Sequence, residues 1–117
     1  ARLEQVMLLN GWLNDVGRVP LQVIAGDFNE VPDGPAVVHM KQTYRSALAV
    51  VRGYEPLATY PTALASNTDG WSGCLDYIFV SSNIRVQNAE LFANKPSEQH
   101  GTLYPSDHVG LVATLAT

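Results

Sequence analysis

Leu21-Gln22-Val23-Ile24-Ala25-Gly26-Asp27-Phe28-Asn29 is a short apolar run, partly β-branched, that closes on a glycine, an acid and an amide. Its composition predicts a buried strand over 21–25, stopped by Gly26, with Asp27 standing where the strand runs out. Pro32-Asp33-Gly34-Pro35 then breaks the chain, and Ala36 to Gln42 follows as a helix with Pro35 at its first position. Upstream, Leu3, Val6, Met7, Leu9, Trp12, Leu13 and Val16 recur at spacings of three and four. They predict an amphipathic helix over about 2–16, with Gly17 at its C-cap position and an apolar stripe laid on another element. Helix, strand, loop and helix in that order point to an α/β arrangement.

Beyond the helix the pattern weakens. Tyr44 to Val51 suits either a helix or a strand, and Asn67 to Gly73 is rich in turn formers, so Thr43 to Gly73 is expected to be long and mostly irregular. Order returns where Leu75, Tyr77 and Phe79 alternate with Asp76, Ile78 and Val80, followed by Ser81-Ser82-Asn83 and the run Ile84 to Phe92. Two strands around a tight turn predict a hairpin. Asn94 to Ser106 is polar and holds Pro96 and Pro105, a loop, and Val109 to Leu115 is a last apolar strand.

A chain of 117 residues, 46% hydrophobic, supports one domain with its own core and not two. The one cysteine, Cys74, excludes an internal disulfide and a Cys-x-x-Cys ligand pair, and reads as a small buried apolar residue. No apolar run approaches the roughly 18 residues of a membrane span, and no basic, apolar, small-residue signal opens the chain, so a soluble unit is expected. The net charge of −4 and pI near 5.1 have the wrong sign for a surface that grips nucleic acid by broad phosphate neutralisation. Any contact with a polynucleotide must then be local. The first residue is Ala1 rather than Met, which suggests a piece processed or cut from something longer.

Three motifs carry the chemistry: Gly26-Asp27-Phe28-Asn29, Leu75-Asp76-Tyr77 and Ser106-Asp107-His108. Asp and Asn at a strand end serve turns as readily as catalysis, because both bond their own backbone and tolerate unusual dihedrals. Asp76, an acid inside a strand, needs a cation or a donor to offset its burial, and His108 at the mouth of the last strand can supply one. A carboxylate on one ring nitrogen fixes the tautomer of a histidine and raises its pKa, leaving the other nitrogen to give a proton to a phosphate oxygen. Asp27 and Asp107 are hard oxygen ligands able to share Mg2+ or activate water, and Asn29 can donate its amide to a phosphoryl oxygen. A calcium loop over Asp27 to Gly34 fails, because Pro32 stands where the glycine is needed. A Ser106, His108, Asp76 triad fails too, since Ser106 and His108 are two apart and no Gly-x-Ser-x-Gly elbow exists. His39, His100, Lys41, Arg45, Trp12 and Trp71 receive no role, and Glu4 reads as a solvated helix residue.

The order GDFN, LDYIFVS and SDH before a last apolar strand resembles the endonuclease/exonuclease/phosphatase superfamily, over roughly residues 3 to 115. The resemblance implies a DNase I-like fold, of which this chain is the C-terminal half of a two-layered α/β sandwich with strands ending in catalytic loops. It implies a metal-dependent phosphodiesterase or nuclease that hydrolyses a phosphate ester by in-line attack of activated water, using Mg2+ or Mn2+. Asp27 then orients or activates the water, Asn29 contacts the phosphate, Asp76 buttresses the catalytic His108, and Asp107 lies beside the metal with Asp27. The Gly73-Cys74-Leu75-Asp76-Tyr77 context and the Thr59-Tyr60-Pro61-Thr62 stretch look more like the deadenylase and 2′-phosphodiesterase branch than like abasic-site repair enzymes. The substrate stays open among nucleic acid, nucleotides, inositol phosphates and phospholipid headgroups, because loops select substrates.

In the family an N-terminal half supplies an Asn, a metal-binding Glu and a further His, and no segment before Gly26 here holds them. Residues 1–117 are therefore expected to be a partial domain lacking that half, with an incomplete site and a face through which copies self-associate. The alternative is a catalytically inactive half-domain that is structural or binding only.

Overall fold

The computed structural model describes residues 1–17, 19–65 and 69–117. Helix α1 (Arg2–Asp15) leads through a turn to strand β1 (Val23–Asp27), helix α2 (Pro35–Lys41), the two-residue strand β2 (Arg45–Ser46) and helix α3 (Ala47–Arg52). Strands β3 (Asp76–Val80), β4 (Arg85–Phe92) and β5 (Gly110–Ala116) complete the chain. Among the described residues they form two antiparallel sheets, one in the order β1-β3-β2 and one of β4 with β5.

Alternation along β3 explains the layering. Tyr77 and Phe79 point to one face, where they join Val6, Ala36, Val37 and Met40 beneath α1 and α2. Ile78 points to the other, where it packs with Ala47 and Leu48 of α3 and with Ala89 and Leu111 of the second sheet. Asp76 shares the parity of Ile78, so its carboxylate belongs to the side facing β5. The larger fully buried side chains of these cores, Val37, Met40, Leu48 and Phe79, each contribute roughly 1.5–3 kcal/mol of transfer free energy.

Several expectations change. Ser81-Ser82-Asn83 joins β3 to β4 but makes no hairpin: β3 already has β1 on one edge and β2 on the other, so β4 has no free edge to pair with and ladders with β5. The turn itself is held from outside, by the amide of Asn83 donating to Pro20 O at 2.6 Å and by Arg45 Nη2 donating to Ile84 O. Strand β1 includes Gly26 and Asp27, and it is mostly exposed rather than buried, because β3 flanks only one of its edges and nothing described covers Val23 or Ala25. The predicted stripe is likewise only partly used: Leu3 and Val6 pack on the core while Met7, Trp12 and Val16 are exposed. The segment expected to be irregular contains β2 and α3, and Gly53 ends α3 at φ 82, a left-handed turn that glycine adopts without strain. The turn expected from Asn67 falls in part on Asn67 and Thr68, which lie outside the described residues. No helix among the described residues is long and apolar enough to cross a membrane.

Candidate active site

The antiparallel register sets Asp27, the last residue of β1, directly opposite Asp76, the first residue of β3. Like charges so placed repel. His108, in the loop before β5, resolves the conflict. Its Nδ1 donates to Asp76 Oδ2 at 2.7 Å, and its Nε2 stands 3.8 Å from Asp27 Oδ2. Burial pulls the His108 pKa down, but the hydrogen bond and charge of Asp76, with the further charges of Asp27 and Asp107, outweigh it and the net shift is upward.

Each group is held by its neighbours. Gly26 takes φ 154, outside the range of most side chains, just before Asp27. Asn29 takes φ 51, which Asn tolerates, and its N–H donates to Asp27 Oδ1 at 2.7 Å. The turn chemistry of this motif is therefore present, with one carboxylate oxygen shaping the loop while the other faces the imidazole. Phe28 anchors the loop edge-on against Tyr77 and Phe79, with ring centroids 5.8 and 5.0 Å away. The Tyr77 hydroxyl donates to Glu30 O at 2.7 Å.

Thr59, buried and without an assigned role at the level of sequence, is the junction of the site. Its hydroxyl donates to Asp76 Oδ2 at 2.6 Å and accepts from the Leu75 and Asp76 amides at 2.9 and 3.3 Å. Its carbonyl accepts from Val109 N at 2.9 Å, and the adjoining Thr62 binds the carbonyls of Ser106 and Asp107, so one segment locks both partners of the Asp76–His108 pair. The Thr59-Tyr60-Pro61-Thr62 stretch was visible in sequence, but this many-sided use of one hydroxyl has no periodic signature.

A cleft of about 540 Å3 opens over these groups, with Asp27, Asn29, Glu30, Tyr60, Trp71 and His108 among its walls. Asp27, Asp76 and His108 each offer a ligand atom, and these lie within 4.8 Å of one another. Asp107 stands apart from that group: its carboxylate is exposed and accepts from the Ser106 hydroxyl at 3.4 Å. Glu30, which the sequence did not single out, is largely buried, accepting from Arg2 Nε at 3.2 Å and from Ala36 N at 3.4 Å at the start of α2. Cys74 is buried as expected, and burial followed by the charge of Glu55 pushes its thiol up to about 11.

The family model described as Endonuclease/Exonuclease/phosphatase family matches residues 5–108. Among solved structures, a conserved protein of unknown function from Enterococcus faecalis is similar with a TM-score of 0.73 at 21% identity, covering 99% of this chain and 44% of that one. A humanized D. rerio TDP2 gives 0.72 at 20% identity, covering 99% and 48%. An endonuclease/exonuclease/phosphatase from Bacteroides vulgatus gives 0.70 at 20%, covering 98% and 43%. The chain thus spans less than half the length of each of these structures. No curated protein matches it by sequence.

Proposed function

The chain belongs to the endonuclease/exonuclease/phosphatase family, whose members are generally metal-dependent phosphoesterases and nucleases, and from that premise we propose that it carries the proton-handling part of a phosphoesterase site. The observation that supports this most directly is the Asp76–His108 pair at 2.7 Å, with His108 Nε2 turned toward Asp27 at the cleft. Asp76 fixes the ring and holds the proton on Nδ1. The upward shift of its pKa favours the ring protonated on both nitrogens, the form in which Nε2 can give a proton to the substrate. Asp27 orients a water for in-line attack on phosphorus and takes its proton, the ester P–O bond breaks, and His108 Nε2 gives its proton to the oxygen that leaves as the alcohol. Asn29, in the cleft wall, gives its amide to a phosphoryl oxygen.

The donor set fits a divalent ion only loosely. Asp76 Oδ2 is already committed to Thr59 and His108, whereas Asp27 is half-exposed and offers hard oxygen. Mg2+ or Mn2+ would be held here by Asp27, with ligands beyond this cluster completing its shell, since Asp107 stands apart from it, and would supply Lewis-acid polarisation of the phosphate. We read residues 1–117 as part of a larger two-sheet sandwich, whose other half brings further ligands and covers α1 and β1. The substrate is a phosphate ester.

In the protein that includes this other half, His108→Ala and Asp27→Asn should each lower turnover of a phosphodiester by about 10²-fold or more, with KM changed less. Equal turnover in wild type and His108→Ala would remove the assigned role. The absence of any Mg2+- or Mn2+-dependent hydrolysis would favour an inactive binding half-domain instead.

A further inference from the structure

Glu30 is built into the wall of the cleft from three sides. Its carbonyl accepts from the Tyr77 hydroxyl at 2.7 Å, and its Oε2 accepts from Ala36 N at 3.4 Å. Gly34 leaves the space that its side chain fills, since a Cβ there would come within 2.4 Å of Glu30 Cγ. The Glu30 side chain is 12% exposed, and an acid so placed needs a partner. Its Oε1 accepts from Arg2 Nε at 3.2 Å. That bond uses one nitrogen of the guanidinium. The two Nη groups make no hydrogen bond among the described residues, the Arg2 side chain is 51% exposed, and it lines the cleft with Asp27, Asn29 and His108.

We propose that Arg2 is a substrate-binding residue whose Nη groups take a phosphate oxygen beside the one that Asn29 takes, and that Glu30 is the positioning residue that aims it. The inference rests on the phosphoesterase reading above and adds a residue to its binding side. An ion pair whose cation stands half in water adds little to stability, so bracing α1 against α2 accounts poorly for a carboxylate held this firmly. Charge gives the better account. Asp27 and Glu30 both line the cleft, and Arg2 is the one permanently charged cation among the described residues that do so. An anionic ester entering there meets repulsion that a fixed guanidinium offsets, and the planar fork of donors suits phosphate oxygens. Glu30 follows Asn29 directly, so the loop after β1 delivers the amide and aims the guanidinium together.

In the protein that includes the other half, inorganic phosphate titrated into nitrogen-labelled protein should move the Arg2 Nε–H resonance and the Asn29 side-chain amide along one binding curve. Arg2→Gln should raise both the phosphate Kd and the KM for a phosphodiester by about tenfold, with kcat moved less and the thermal midpoint nearly unchanged. Arg2→Lys should recover only part of the loss, because an ammonium keeps the charge without the fork. Glu30→Met separates aim from charge. It removes a negative charge from the cleft, so charge alone would tighten phosphate, whereas a guanidinium set loose should weaken it by about threefold or more. Glu30→Gln, which keeps the shape and a neutral acceptor, should fold as wild type does and fall between the two. Unchanged phosphate affinity in Arg2→Gln, with the Asn29 amide still shifting, would overturn the role of Arg2 and leave the phosphoesterase reading standing. A lowered thermal midpoint with unchanged KM would reduce the pair to a brace, and tighter binding in both Glu30 variants would overturn the aim assigned to Glu30. No response of Arg2 or Asn29 to phosphate, together with no turnover of a phosphodiester, would overturn both readings.

Discussion

Asp27 and Asp76 face each other across a strand pair with one imidazole between them, so protonation of His108 contributes to folding as well as to the proposed chemistry. Its folded pKa lies above the ordinary 6.5, after burial (which lowers it) is outweighed by Asp76, Asp27 and Asp107. The stabilisation is therefore complete below pH 6.5 and is lost as pH rises through the folded pKa. Thermal midpoints of wild type and His108→Gln should differ most below pH 6.5 and converge as pH rises through the folded pKa, and a gap that widened with pH would mean a neutral imidazole. Cys74, pushed up to about 11, should stay unreactive toward thiol reagents at pH 8 until the chain unfolds. Asp27, Asp76 and His108 were legible in sequence because an acid in a strand demands a partner. Thr59 was not, since a buried hydroxyl serving one carboxylate and two amides leaves no mark in spacing.

Among the elements, the segment joining Thr59 to Thr62 is short and without regular structure, yet it ties β3 to the loop before β5. Thr59→Val, nearly equal in shape, should cost about 1–3 kcal/mol by leaving the Leu75 and Asp76 amides unpaired. It should also lower turnover, because Asp76 would lose the donor that fixes its carboxylate. Denaturant midpoints measured beside single-turnover rates check both, and an unchanged rate would reduce Thr59 to a purely structural part. The strands other than β2, with α1 and α2, were readable from the apolar pattern, but the pairing of β3 with β4 was misjudged because a tight turn implies a hairpin only when an edge is free. Composition could not reveal that β1 and β2 occupy both edges of β3. Arg45 and Ser46 were unreadable as a strand for a related reason: two residues carry no period, and their ladder exists only because β3 is there to receive it.

At the scale of the whole molecule, the exposed side chains Met7, Leu8 and Trp12 of α1, Val16 just after it and Val23 of β1 leave apolar surface in water. On the proposal that this is one part of a larger sandwich, the isolated 117 residues should self-associate, which light scattering over a concentration series measures, and should show little metal-dependent hydrolysis. A strict monomer with robust hydrolysis would overturn that view. The shape of the domain could be read from sequence only as a class, because which faces stay uncovered depends on neighbours that composition does not reveal. One further consequence belongs to the location of His108, ahead of β5 in the two-stranded sheet, while Asp27 and Asp76 belong to the three-stranded one. The site is a clasp across a seam. Sub-global opening costs less than global unfolding, so mild denaturant should part the clasp first. The Nδ1 proton resonance of His108 should then broaden away while the amides of β3 remain protected, and the proposed site would come apart well before the protein melted.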